Sequence, residues 1–117
     1  MKIQKSKILA DISGETGVIR FLWATVRDAA DAQKAVSEIE DVAYNHKVSV
    51  IVINFSRLVQ LTSVFLGRLI QVQKSLKQVG TQLRACGMSP DVEKAFKICK
   101  LDKLIPSYAT EEEAING

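Results

Sequence analysis

Two adjacent hydroxyls, Thr62 and Ser63, stand in the stretch VIVINFSRLVQLTSVFLG that fills positions 50–67. The apolar run before them suits a buried strand, and an amphipathic pattern begins directly after them. Hydroxyls at the mouth of a helix can serve two ends. They can cap it, because its first N–H groups need an acceptor. They can also accept a phosphoryl group, whose charge suits a helix N-terminus. Val59, Leu61, Val64 and Phe65 crowd the same loop and first turn. Apolar loop residues usually pack inward, and Phe65 is the one most expected in the core. If Leu61 or Val64 stays outside, Ser63 is bordered by a docking surface.

Other reactive chemistry is sparse. The one histidine, His46, lies at the predicted C-terminus of a helix and reads as a packing or capping residue. Cys86 and Cys99 share no metal-binding spacing with each other or with His46 and sit among apolar neighbours. They read as unbonded core residues of a reducing compartment. No glycine-rich phosphate loop follows a strand, and no G-x-S-x-G elbow is present. The strand before the hydroxyls ends in Asn54, without the carboxylate that a phosphoacceptor receiver would place there. No cofactor is expected, and the sequence reads as a binding module rather than an enzyme.

The elements that must position these residues follow from periodicity. The 117 residues are 47% hydrophobic and 25% charged, the composition of one globular domain spanning 1–117. Lys7 to Ile12 and Val18 to Leu22 read as two strands around the turn SGETG. Asp28 to His46 reads as a helix, with Ala32, Ala35, Val36, Ile39, Val42 and Ala43 on its apolar face and Lys34, Glu38, Glu40 and Asp41 off it. Val48 to Phe55 reads as a strand buried on both faces. A helix follows from Thr62 or Ser63 to Val79, then a strand from Gln82 to Cys86. Ser89-Pro90-Asp91 opens another helix with cap, proline and acid in order. A short strand at Ile105 to Tyr108 and a last helix behind the Thr110–Glu113 capping box complete the chain. Such alternation predicts an α/β fold with a central, mostly parallel sheet.

Charge is distributed unevenly. The net charge is +3, yet no Asp or Glu occurs between Asp41 and Asp91, where Lys47, Arg57, Arg68, Lys74, Lys77 and Arg84 all fall. Such a segment either presents solvated helix faces or favours an acidic or phosphorylated partner. Aromatic residues do not interleave with it, so no nucleic-acid partner is expected. The basic N-terminal stretch lacks the apolar core of a signal peptide, and no apolar run matches a membrane span. The expectation is a cytoplasmic protein without direct membrane insertion.

Read as an ordered set, these segments resemble the STAS domain, the family of anti-sigma factor antagonists. That family places a strand ending in Asp-Leu-Ser, a loop, and an Asp-Ser-Ser-Gly motif opening a helix, followed by Leu-Gly. Without gaps, Asn54-Phe55-Ser56 falls on the strand end and Thr62 on the motif's Asp. Ser63 and Val64 fall on its serine pair, so Ser63 is the hydroxyl offered as phosphoacceptor. Phe65 falls on the glycine, and Leu66-Gly67 on Leu-Gly. GTQLRACGMSPDVEKAFKICKLDKLIP and TEEEAI resemble the family's closing segments. The resemblance implies a STAS (anti-sigma factor antagonist-like) fold, a mixed, mostly parallel β-sheet with packed helices. It implies an anti-sigma factor or kinase-like partner and regulation of transcription through Ser63, with Thr62 as second candidate acceptor. Partner contacts would involve Ser56, Arg57, Leu61, Val64, Gly67 and Arg68. The departures at Thr62, Val64 and Phe65 are similar to those of members that serve as unphosphorylated scaffolds or as accessory subunits of lipid-transport or signalling complexes, whose partner would be a transporter ATPase or a STAS scaffold partner.

Overall fold

A computed structural model describes residues 1–24 and 28–117. Its frame is a six-stranded sheet ordered β1-β2-β3-β4-β5-β6, from Lys2–Gln4, Ile8–Ser13, Thr16–Phe21, Val50–Asn54, Gln82–Cys86 and Ser107–Tyr108. The pairings of β1 with β2 and β2 with β3 are antiparallel, and the other three are parallel. The sheet is therefore mixed, with its parallel half carrying the helical crossovers, as the element alternation predicts. The helices are α1 (Ala29–His46), α2 (Ser63–Gln78), α3 (Pro90–Ile98) and α4 (Glu111–Asn116).

Burial explains the pattern of each strand. Ile51 and Ile53 of β4 face α1 and α2 with Ile8, Ile19, Phe21, Leu83 and Ala85. Val52 faces the other way, joining Val18, Cys86 and Ala114 under α4. The strand is thus covered on both faces, which is why it reads as an unbroken run of Val and Ile. All four phenylalanines gather beneath its carboxyl end. Phe21 meets Phe55 at 5.6 Å and Phe65 at 5.8 Å between ring centres, and Phe55 meets Phe96 edge-on at 5.4 Å.

Four features depart from the sequence reading. The edge strand β1 is additional; KIQ carries one apolar residue and owes its strand form to pairing with Leu9–Asp11. Glu38, expected on the polar side of α1, is only 5% exposed. Its carboxylate accepts from the Ser6 N–H and hydroxyl at 3.1 and 2.5 Å and from the Lys7 N–H at 2.7 Å, so it ties the β1–β2 turn to the helix. The last strand is reduced to Ser107–Tyr108, while Ile105 turns into the core. A short 3-10 turn over Leu101–Lys103 precedes it. His46, by contrast, lies where the sequence predicts it, half-buried at the C-terminus of α1, and Lys47 closes that helix in the left-handed region at φ 50°.

Candidate functional site

The loop from Phe55 to Leu61 is built from an alternation. Phe55 and Leu58 enter the core, and the Leu58 N–H closes a turn on the Phe55 carbonyl at 3.0 Å. Ser56, Arg57, Val59 and Gln60 are left on the surface. Leu61 is half-buried against the core. Of the crowded apolar residues, Phe65 is fully buried, whereas Val59 is 66% and Val64 44% exposed.

The two hydroxyls have different positions. Thr62 is the N-cap of α2, in extended conformation, and its Oγ1 accepts from the Phe65 N–H at 3.1 Å. Ser63 is the first helical residue and is exposed. The capping duty falls on Thr62, which leaves the Ser63 side chain free of it. Thr62→Ala is accordingly expected to lower stability by about 1 kcal/mol. Ser63→Ala is expected to stay within about 0.5 kcal/mol of the parent. Urea denaturation of both variants checks the ranking, and the reverse order would move the cap to Ser63. One helical turn further on, Gly67 is exposed and Arg68 half-buried, so Ser63 and Gly67, and Val64 and Arg68, are i,i+4 neighbours on the outer face of α2.

A polar network fixes the start of the loop. Glu111, in the first turn of α4, receives Arg20 in a two-pronged pair at 2.8 and 2.6 Å. The Asn54 amide donates to the same carboxylate at 2.6 Å. The Asn54 side-chain oxygen Oδ1 then accepts from the Ser56 N–H at 2.8 Å and the Ser56 hydroxyl at 2.6 Å. Gly87, with φ at +68°, packs against this turn: a Cβ there would lie 2.8 Å from Asn54 Oδ1 and 3.3 Å from the Ser56 nitrogen. A groove of about 420 Å³ opens beside the network, lined by Leu9, Arg20, Leu22, Asn54, Ser56 and Arg57 among others. Sequence reasoning singled out Asn54 and Ser56 but missed Arg20 and Glu111. The one signal for Glu111 is its place just after the Thr110 cap, where acids usually serve the helix alone.

The pair shifts its own titration. The hydrogen bond from Arg20 is the main cause that holds the Glu111 carboxyl below its usual 4.5, assisted by Asn54 and opposed by burial. The Arg20 guanidinium is pushed up by the same bond. A group with a depressed folded-state pKa contributes stability above its unfolded value, and loses that contribution as the pH falls through the folded value. Melting temperature is therefore expected to fall more steeply below pH 4.5 in the parent than in Glu111→Gln, which has nothing to protonate there. Parallel curves would show that the pair adds no net stability; Arg20 is 41% exposed, so solvent screens part of it. Burial pushes the neighbouring Cys86 thiol up to about 11, with Glu111 adding to the rise, so it stays protonated and a poor nucleophile at neutral pH. Cys99 is half-buried, and both thiols are free.

This geometry describes an exposed loop and helix start on an α/β platform, and comparison with known proteins identifies the fold. Residues 8–114 match the STAS domain family. The chain belongs to that family. Its fold superposes on the anti-sigma factor antagonist SpoIIAA in unphosphorylated form with a TM-score of 0.77 and 27% identity, covering 93% of each chain. The phosphorylated form of that Bacillus cell fate determinant matches at 0.69, also with 27% identity, over 93% of this chain and 96% of the other. An anti-sigma factor antagonist from Mycobacterium paratuberculosis matches at 0.79 with 21% identity, over 93% and 90% of the two chains, which speaks for the fold. Ser56 to Leu61 and the opening turn of α2 lie at the carboxyl end of the parallel strand β4. Among the described residues, no helix is long and apolar enough to cross a membrane.

Proposed function

We propose that this STAS domain acts as an anti-sigma factor antagonist. It would capture an anti-sigma factor, a kinase-like protein, and so release a sigma factor for transcription. Docking uses the Ser56–Leu61 loop and the outer face of α2 through Val64, Gly67 and Arg68, and phosphorylation of Ser63 switches it off. The observation that carries this reading is the division of labour at the helix start. Thr62 caps, and an exposed Ser63 stands beside exposed Val64. A phosphate there leaves the fold intact, because a helix N-terminus favours negative charge, while it burdens an interface that must shed water.

Gly67 supports the same surface. A glycine inside an exposed helix face costs about 1 kcal/mol relative to alanine, and a Cβ at Gly67 meets nothing within 4 Å. Among the described residues nothing requires that glycine, whereas close approach by a partner would. Gly67→Ala is expected to raise stability by about 0.5–1 kcal/mol. Gly67→Gln is expected to weaken affinity for the purified anti-sigma protein about tenfold or more, as a steric clash at a packed interface does. Calorimetric titration of both variants checks this, and unchanged affinity of Gly67→Gln would remove α2 from the interface.

A second reading has its own observation. Thr62 stands where the family motif has its acid, and exposed Val64 adds apolar surface beside the acceptor. Such a face suits permanent docking as an unphosphorylated accessory subunit of a lipid-transport or signalling complex, on a transporter ATPase or a scaffold. Identification of the partner from the native host separates the two readings.

A further inference from the structure

The end of the molecule opposite Ser63 carries a second surface. α2 begins at the carboxyl end of β4 and runs antiparallel to the strands, so its C-terminus, that of α1 and the amino ends of β4 and β5 lie together. Two depressions open there. One, of about 400 Å³, is lined by Tyr44, Lys47, Val79, Gly80 and Thr81 among others. The other, of about 340 Å³, is lined by Lys77, Gly80, Thr81, Gln82 and Leu104 among others. They share Gly80 and Thr81, so Lys47 and Lys77 and the apolar residues Tyr44, Val79 and Leu104 line adjoining depressions. Val79 is 58% exposed, and Tyr44 and Leu104 also stand out from it. Lys103 adjoins Leu104, and α3 ends close by in the chain with Lys97, Lys100 and Ile98, the last 72% exposed. Among the described residues, no carboxylate lines either depression. The acids nearest in the chain are Glu15, Asp41 and Asp102, with Glu40 one step beyond, against five lysines; Asp41 is paired with Lys5 at 3.9 Å.

We propose that this face docks the domain on an anionic lipid surface. Three features of its chemistry select that partner. Its cations are all lysines, which protein–protein interface cores disfavour and which act well as diffuse charges over anionic headgroups. Its exposed apolar residues, Tyr44, Val79 and Leu104, line the same depressions as Lys47 and Lys77 and can dip into the headgroup boundary with the backbone staying outside. A nucleic acid would use the charges but leave Val79, Leu104 and Ile98 without a role. Docking by this end leaves the Ser63 end facing away, across a molecule whose longest extent is 32 Å. Membrane recruitment and partner capture can then occur together.

The test is co-sedimentation of the whole protein with phosphatidylcholine vesicles, with and without phosphatidylglycerol. Binding is expected only where phosphatidylglycerol is present, and is expected to fall steeply with added salt. Reversal of each of Lys47, Lys77 and Lys103 to Glu is expected to lower partitioning about fivefold or more, and the combined reversal to abolish it. The matching Lys→Arg variants are expected to bind as the parent does. Recovery of the parent in the supernatant with anionic vesicles overturns the proposal, as does equal binding to neutral vesicles. Full binding by the triple reversal assigns the contact to another face. Tighter binding to duplex DNA than to anionic vesicles in the same buffer assigns the lysines to nucleic acid instead. Vesicle composition and salt are read on the unmodified protein, so the outcome does not hang on the folding of any variant.

Discussion

Ser63→Glu is expected to weaken binding of the anti-sigma partner about a hundredfold, a loss of roughly 2–3 kcal/mol, while the isolated domain becomes slightly more stable. The opposed signs follow from position. Ser63 is the first residue of α2, where a carboxylate meets unsatisfied N–H groups and the positive end of the helix dipole, a gain of about 0.3–1 kcal/mol. In the proposed complex the same carboxylate would lose water beside Val64, a cost that a partner without a matching cation does not offset. Ser63→Ala keeps both binding and stability, because Thr62 holds the cap. Calorimetric titration against the partner, paired with thermal denaturation of the free variants, reads both signs at once. Undiminished affinity of Ser63→Glu would strip Ser63 of a switching role and favour the permanent-scaffold reading.

The second large effect concerns the residue that replaces the family glycine. Phe65→Gly, which restores the motif at that position, is expected to destabilise the domain by about 5 kcal/mol: roughly 3–5 for deleting a buried phenylalanine and about 1 for glycine in a helix. Phe65 is fully buried and meets Phe21 edge-on at 5.8 Å, within the ring cluster that supports β4 and the Ser56 loop. A loss of that size approaches the whole stability of many small domains. This chain has adapted its core to Phe65, so the motif cannot be rebuilt one residue at a time. Urea denaturation midpoints test this, and a loss under about 2 kcal/mol would mean that a backbone shift fills the space.

Local signals carried most of the fold. Ser89-Pro90 and Thr110–Glu113 state their helix starts outright, and both hydroxyls cap: Ser89 Oγ accepts from the Val92 N–H at 3.3 Å and Thr110 Oγ1 from the Glu113 N–H at 3.2 Å, although the Glu113 carboxylate does not return the bond that a capping box has. The change from a Val/Ile run to helical spacing after Asn54 located the strand, loop and helix of the candidate site. What sequence could not supply was long-range pairing. Arg20 and Glu111 are 91 positions apart, and Asn54 and Glu111 are 57 apart; no periodicity links them. Glu38 was misassigned for a different reason. It lies three residues after Ala35 and four before Val42, both buried, so spacing already put it on the apolar face. Its charge argued for solvent, and the bonds it accepts from the Ser6 N–H and hydroxyl and the Lys7 N–H explain its burial. At Thr62 and Ser63 the pattern allowed either hydroxyl to cap, and one hydrogen bond decided between them.

The claim on which this account turns is that the opening of α2 is the face a partner touches. Photo-crosslinking addresses it directly, with a light-activated side chain placed at Val64 in one protein and at exposed Ile115 on α4 in another, each expressed in the native host. The account predicts a covalent adduct from Val64, whose mass-spectrometric identity is an anti-sigma kinase-type protein, and its absence from Ile115. Adducts from Ile115 with none from Val64 would contradict it and place the interface on the α4 face of the sheet.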